Sequence, residues 1–355
     1  MIKVLVVDDS PSARRLMTEI LGADRDIEVV GTAGTGREAL EMLGKVTPDV
    51  ITMDIYMPEM DGFEATGRIL QIAPIPIVII SSCYTPEEVE KTFEAMAAGA
   101  VAILSKPRLT DDTYEKIARE IVQTVKLMSE VRVVMRHKRP PNLKSHALPA
   151  SEYHSGTYPA HLAGFETGRQ LKVVAIGAST GGPPVLQTIF SMLPPDFRVP
   201  IMVVQHIAAG FLQGMIDWLS QTSGRPIKTA GPGESLAPGY IYFPPEGFHM
   251  GLGRDGRITL GSEQPENGMR PSVSYLFRSV AGAMPRSAAG VLLTGMGKDG
   301  AMELKLIRDG GGITIAQDEE SSVVHGMPGE AIKEGGAVYV LPPDRIAAML
   351  IGMAV

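Results

Sequence analysis

From Lys3 to Met128 short runs of Val and Ile alternate with stretches of helical periodicity, and no other feature limits the fold of this chain so strongly. The runs Lys3 to Val7, Ile27 to Gly31, Val50 to Met53, Pro76 to Ile80 and Val101 to Leu104 are continuous and β-branched. Continuous apolar runs are what strands buried on both faces require, and such strands belong to parallel sheets covered by crossover helices. The pattern predicts an α/β unit with a parallel five-stranded sheet. One of its helices carries a start signal, in which Thr85, Pro86 and Glu88 supply an N-cap, a first-turn proline and the glutamate of a capping box.

Between about Val131 and Arg169 the periodicity stops, and Arg136, His137, Lys138, Arg139, Pro140, Pro141, Pro149, Pro159 and Gly164 take its place. This predicts a linker, so the chain divides into residues 1–128, a linker over 129–169 and a second domain over 170–355. His137, His146, His154 and His161 fall in the linker, where a solvated chain positions no base; His206, His249 and His325 remain as candidates. From Leu171 the alternation resumes with LKVVAI and PIMVV. Short Gly/Pro-punctuated runs between Lys228 and Leu260 read as hairpins. Strands over Gly290 to Thr294, Ile313 to Ala316 and Ala337 to Val340 then alternate with helices near 271–284, 300–308 and 343–352. The expectation is a doubly wound, mostly parallel α/β domain with an antiparallel hairpin insertion.

Composition narrows the partners. A net charge of −7 gives no positive field to hold nucleic acid or an anionic membrane surface. No apolar run approaches a bilayer span. MIKVLVVDDS, with two aspartates directly after a short apolar run, is not the pattern of a secretory signal, so the expected location is cytoplasmic. The lone Cys83 excludes an intramolecular disulfide and a Cys-rich zinc site, and reads as a core or surface thiol.

Ligands of an open parallel sheet gather beyond the carboxyl ends of its strands. Asp8 and Asp9 end the first strand, Asp54 the third, Ser81 the fourth, and Lys106 followed by Pro107 the fifth. An aspartate at such a junction also serves as a helix N-cap, but capping does not account for polar residues at several strand ends together. Three converging carboxylates suit Mg²⁺, which prefers hard oxygen ligands and shields a phosphoryl group arriving at Asp54. Ser81 and Lys106 would contact the phosphate. With VVDDS, MDIYMPEMDG, IISS and SKP in order, residues 1–125 resemble a response-regulator receiver domain of flavodoxin-like fold. The resemblance implies Asp54 as phospho-acceptor, Asp8 and Asp9 as the acidic pair with the Tyr56 carbonyl as a further metal ligand, Ser81 as switch hydroxyl and Lys106 as phosphate-sensing lysine. Ile103 stands where many receivers carry an aromatic, and Tyr56 where a polar residue is more usual.

In the second domain LKVVAI runs into GASTGGPP, which puts Ser179 in a Gly-x-Ser-x-Gly turn between strand and helix. Ser179 or Thr180 would also suit a helix cap, with Pro183 and Pro184 in the first turn. A phosphate cradle is disfavoured because neither GxGxxG nor the Walker lysine is present. A serine nucleophile needs a base and an orienting acid. His206 ends the next strand, PIMVVQH, and Asp299 lies in the loop TGMGKDG after the strand GVLLT. His249 and His325 are the remaining histidines, of a kind more often used in packing. The order Ser179, His206, Asp299 differs from that of the α/β-hydrolases, so the turn motif alone does not place the chain among them.

The motifs GASTGG, VVQH, MRPSVSYLFRSVA, LTGMGKDG and AQDEESSVVHGMP, followed by EAI, spread over residues 170–352, which resemble the catalytic domain of CheB-type protein-glutamate methylesterases. The resemblance implies Ser179 as nucleophile, His206 as base and Asp299 as its orienter, Thr180 near these three and the Met296 backbone N–H in the oxyanion hole. It implies hydrolysis of γ-glutamyl methyl esters on the cytoplasmic helices of chemoreceptors with release of methanol, deamidation of receptor glutamines, and a chemotaxis histidine kinase as phosphate source. Mg²⁺ serves receiver phosphorylation, and no cofactor is expected for the hydrolase. Ser274 in RPSVS stands where the family usually has Asp, and Met269 where a basic or polar residue is common. Two other readings of the second domain stay open: a catalytically silent interaction module, and an esterase for small molecules. A transcription-factor output is disfavoured because no basic recognition helix follows the linker.

Overall fold

The computed structural model describes residues 1–82, 92–96, 98–107, 114–131 and 171–354. Cys83, the start signal at Thr85 to Glu88, the linker histidines and nearly all of the expected linker lie outside the described residues.

The N-terminal sheet consists of β1 (Ile2–Val7), β2 (Ile27–Ala33), β3 (Val50–Met53), β4 (Ile77–Ser81) and β5 (Ala102–Ser105), all parallel, in the order β2-β1-β3-β4-β5. Helices α1 (Pro11–Gly22), α2 (Gly36–Met42), α3 (Gly62–Ile72) and α4 (Tyr114–Met128) connect or flank them. Every residue of β3 and β4 is buried, as their unbroken apolar sequences require. The strand order reverses direction at β1 and β3, and Asp8 and Asp54 follow those two strands, so the acidic residues stand at the topological switch point. Ser10 caps α1, so neither Asp8 nor Asp9 is spent on that role.

The C-terminal sheet has seven parallel strands. They are β6 (Val173–Ala178), β7 (Ile201–Gln205), β8 (Ile227–Thr229), β9 (Ile241–Phe243), β12 (Ala288–Leu292), β13 (Ile313–Gln317) and β14 (Tyr339–Leu341), in the order β14-β13-β12-β6-β7-β9-β8. The antiparallel insertion is the ribbon β10 (His249–Leu252) and β11 (Ile258–Gly261). The expected hairpins between Lys228 and Leu260 therefore reduce to one. The runs at 227–229 and 241–243 instead extend the parallel sheet, because the turns between them return the chain to the same end. Helices α5 (Gly182–Met192), α6 (Leu212–Ser223), α7 (Val273–Ala283), α8 (Ala301–Asp309), α9 (Met327–Lys333) and α10 (Pro343–Met353) cover both faces. Strand β6 shows why two layers are needed: Val174 and Ile176 enter one core with Leu186, Ile189 and Phe190, while Val173 and Ala175 enter the other with Leu276 and Phe277.

The chain leaves β6 towards β7 on one side, while β12 pairs on the other, so the crevice of this sheet opens at the carboxyl ends of β6, β7 and β12. Ser179, His206 and the loop bearing Asp299 follow those three strands.

Candidate functional site: two strand-end constellations

Ala178 pairs with Gln205 in the β6–β7 register, so Ser179 and His206 are the next residues on neighbouring strands. The His206 N–H donates to the Ala178 carbonyl at 2.9 Å, which holds the two strand ends together past the sheet. Ser179 is 9% exposed. Gly181 is the N-cap of helix α5, its φ of 78° lies in the left-handed region, and no side chain caps the helix. The Ser179 hydroxyl is thus not occupied by the capping role that its sequence position also allowed.

His206 Nε2 lies 2.9 Å from Asp299 Oδ2. A carboxylate there fixes the proton on Nε2, which leaves the lone pair on Nδ1. Nδ1 is buried and has no partner among the described residues. It is not yet hydrogen-bonded to Ser179, which is common before substrate closes a site. Asp299 does act as a cap, but for a neighbouring helix: it accepts from the backbone N–H groups of Val273 at 2.7 Å and Ser274 at 3.1 Å, at the start of α7. Asn267 at 3.1 Å and the Ser272 hydroxyl at 2.9 Å also donate to its Oδ1. Burial opposes ionisation of Asp299, yet the hydrogen bonds and charge of His206 together with Ser274 and Val273 outweigh it and hold the carboxyl well below the usual carboxylate range.

Thr180 lies one residue from Ser179, its carbonyl accepting from the Thr294 hydroxyl at 2.9 Å. Met296 follows Gly295, whose N–H and carbonyl bond to Val324 and Met327, so the Met296 peptide is anchored on its N-terminal side. The Ser179 N–H donates to the Thr294 carbonyl and is not available to an oxyanion. Ser274 takes part in the same network: its hydroxyl accepts from the Gly300 N–H at 2.9 Å and the Asn267 amide at 3.3 Å. His249 stacks on Tyr275 with ring centroids 4.7 Å apart, and His325 backs the Gly295 loop through a parallel bridge. Neither joins the Ser179 constellation. Gln205, Asn267 and Ser272 carried no signal as single residues, because polar side chains become site residues only when the fold aims them. Their neighbourhood to VVQH and RPSVS was the available clue.

In the N-terminal unit Asp8, Asp9 and Asp54 bring carboxylate oxygens within 4.8 Å of one another, a donor set that fits a hard divalent cation. Lys106 Nζ lies 2.6 Å from Asp8 and 2.8 Å from Asp54. Burial pushes the Asp54 carboxyl up to about 6 against the opposing effect of Lys106. Burial also opposes the Lys106 charge, but Asp54 and Asp8 outweigh it and raise the ammonium pKa. Ser81 is buried at the end of β4, and its carbonyl accepts from the Lys106 N–H at 2.9 Å. Tyr56 is half-buried against the core beneath this site, and Ile103 packs both there and against the cluster in which Phe93 meets the core of the C-terminal unit.

Comparison with known proteins gives a concordant result. The family model described as CheB methylesterase matches residues 174–350, and that of the response regulator receiver domain matches residues 4–118. A protein-glutamate methylesterase/protein-glutamine glutaminase of Syntrophus aciditrophicus is 49% identical over 100% of this chain and 99% of its own. One from Geobacter metallireducens is 51% identical over the same shares. The crystal structure of the Thermotoga maritima CheB methylesterase catalytic domain aligns with a TM-score of 0.50 and 40% identity, covering 52% of this chain and 99% of that one.

Proposed function

The chain belongs to the CheB methylesterase family, with a response-regulator receiver domain in front, and from that premise we propose that it hydrolyses γ-glutamyl methyl esters of chemoreceptors through Ser179, His206 and Asp299. The observation that carries the reading is the His206–Asp299 hydrogen bond, which leaves a buried Nδ1, without a partner among the described residues, beside the Ser179 strand end. Ser179 Oγ attacks the ester carbonyl carbon while His206 Nδ1 takes its proton, and ionised Asp299 stabilises the imidazolium. The Met296 N–H faces the oxyanion, a contribution of about 3 kcal/mol in acyl transfer. Collapse of the tetrahedral intermediate breaks the C–O bond, and methanol leaves with the proton from His206. Water, deprotonated by His206, then hydrolyses the acyl-enzyme to glutamate. With a glutamine substrate ammonia leaves in place of methanol, as the glutaminase names of the relatives suggest.

The receiver, residues 1–128, would regulate the domain over 170–355 through the linker at 129–169. Asp54 is the phospho-acceptor, Asp8, Asp9, Asp54 and the Tyr56 carbonyl would hold Mg²⁺ to neutralise phosphoryl charge, and Ser81 and Lys106 contact the phosphate. The phosphate comes from a chemotaxis histidine kinase. Among the described residues no helix is long and apolar enough to cross a membrane. The proposed substrate lies on the cytoplasmic helices of receptors, so the enzyme would act in the cytoplasm. The test is methanol release from a methylated chemoreceptor fragment with and without Mg²⁺ and a small phosphodonor. Release is expected to rise with the phosphodonor and to vanish in Ser179→Ala. Release that persists in that variant would overturn the serine mechanism.

A further inference from the structure

We propose that Gln205 is a positioning residue that clamps the nucleophile and the base to each other from below, a role that rests on the serine mechanism above. Its amide nitrogen donates to the Ser179 carbonyl and to the His206 carbonyl, each at 2.8 Å. One planar group thus joins the peptides of both reacting residues across the β6–β7 strand ends. The side chain is 4% exposed, so water does not compete for these bonds.

The orientation of the amide follows from its partners. Two carbonyl oxygens face the nitrogen, and the flipped amide would set oxygen against both of them. The cost of this arrangement is visible at the other end: Gln205 Oε1 is buried and has no partner among the described residues. A buried unsatisfied acceptor is unfavourable, and one retained directly beneath a reacting pair is explained by what the paired nitrogen does there. Room for Oε1 comes from Gly182, where an added Cβ would stand 2.0 Å from that oxygen. The last glycine of GASTGG and the glutamine of VVQH are thus two halves of one device.

Since the Ser179 carbonyl also accepts the Gly182 N–H at 2.8 Å, the clamp and the first turn of α5 fix the same peptide. Such a residue touches no reacting atom. It sets the distance from Ser179 Oγ to His206 Nδ1, on which proton transfer depends.

The test compares Gln205→Met, which keeps the length and lacks donors, with Gln205→Glu, which keeps the shape but sets a carboxylate against two carbonyls. In the full-length protein kcat for methanol release is expected to fall about 100-fold in both, as for a misplaced reacting group. KM should stay within about twofold, and the rate of Ser179 labelling by a fluorophosphonate should fall in parallel with kcat. If Gln205→Met fails to fold, Gln205→Glu carries the measurement. A folded variant with wild-type kcat and labelling rate, or one with raised KM alone, overturns the clamp. Ser179→Ala is run alongside. Activity in that variant defeats the serine mechanism itself, whereas an inactive Ser179→Ala beside a fully active Gln205→Met defeats only the clamp.

Discussion

Asp299 receives five hydrogen bonds on its two oxygens, from His206, Asn267, Ser272, Val273 and Ser274. That number exceeds what a simple cap needs, and it fixes both the charge and the direction of the carboxylate. Asn267 reaches it from a backbone φ of 52°, a left-handed conformation that Asn tolerates better than most side chains. Asp299→Asn removes the charge that stabilises the His206 imidazolium and allows the wrong tautomer, so kcat should fall by about 10⁴-fold while the fold persists. A pH effect follows from the same bonds. The folded-state pKa lies below the ordinary 3.8, so the ionised group contributes stability that is fully present above that value and is lost as pH falls below it. Urea midpoints measured from about pH 6 down to about pH 3 should decline more steeply in the wild type than in Asp299→Asn. Parallel declines would show that the bonds around Asp299 do not favour its charged form.

The turn from β6 into α5 couples packing to chemistry. A methyl group at Gly182 would meet Gln205 Oε1 at 2.0 Å and Ala178 Cβ at 2.9 Å, both buried and backed by the sheet. Gly182→Ala should therefore cost about 1–3 kcal/mol of stability by overpacking, and lower kcat as the glutamine is pushed away. Gly282→Ala, inside α7 with nothing within 4 Å of the added methyl, serves as control and should be neutral or stabilising by about 0.5–1 kcal/mol. Equal thermal midpoints and equal kcat in the two variants would refute the steric argument. The elements that hold these residues were legible in the sequence to the extent that burial dictates composition. β3 and β6 are buried along their whole length, so their apolar runs mark them and the polar residue after each marks the crevice. Ser179 and His206 could be paired because neighbouring parallel strands end together. The strands at 227–229 and 241–243 look like hairpin segments in the sequence, since three-residue strands at a sheet margin carry too little periodicity to show their direction. Asn267 and Ser272 could not be placed at all, because their contact with Asp299 joins segments that only the packing of α7 against α8 brings together.

The two units meet through side chains that neither uses for its own chemistry. Phe93, from the helical stretch at residues 92–96, stacks on Trp218 of α6 with centroids 5.6 Å apart and planes 23° from parallel. Ile103 of β5 packs against the same cluster, which joins Phe93 to the C-terminal core, and Val324 enters the apolar core of the receiver that contains Ile80 and Leu104, with Val323 packed against that cluster. Val323 also lies 2.6 Å from where a Cβ on Gly181 would stand, two residues past Ser179. The receiver thus sits against the loop that borders Ser179, where it would obstruct a substrate as large as a receptor helix. Phosphorylation at Asp54 can shift the population towards an open form only by weakening this contact relative to the closed form. An aromatic stack contributes about 0.5–1.5 kcal/mol beyond its area, and 1.4 kcal/mol is tenfold in a docking equilibrium. Phe93→Ala should accordingly raise methanol release without phosphodonor by about tenfold or more, and shrink the further increase that the phosphodonor brings, with Asp54 phosphorylation itself unchanged. Deleting residues 1–130 should reach the same high rate without any phosphodonor. A Phe93→Ala protein that keeps low basal release and full stimulation would show that this contact does not set the closed state, and would move the control of Ser179 from obstruction to the Val324 and Gly295 hydrogen bonds that support the Met296 loop.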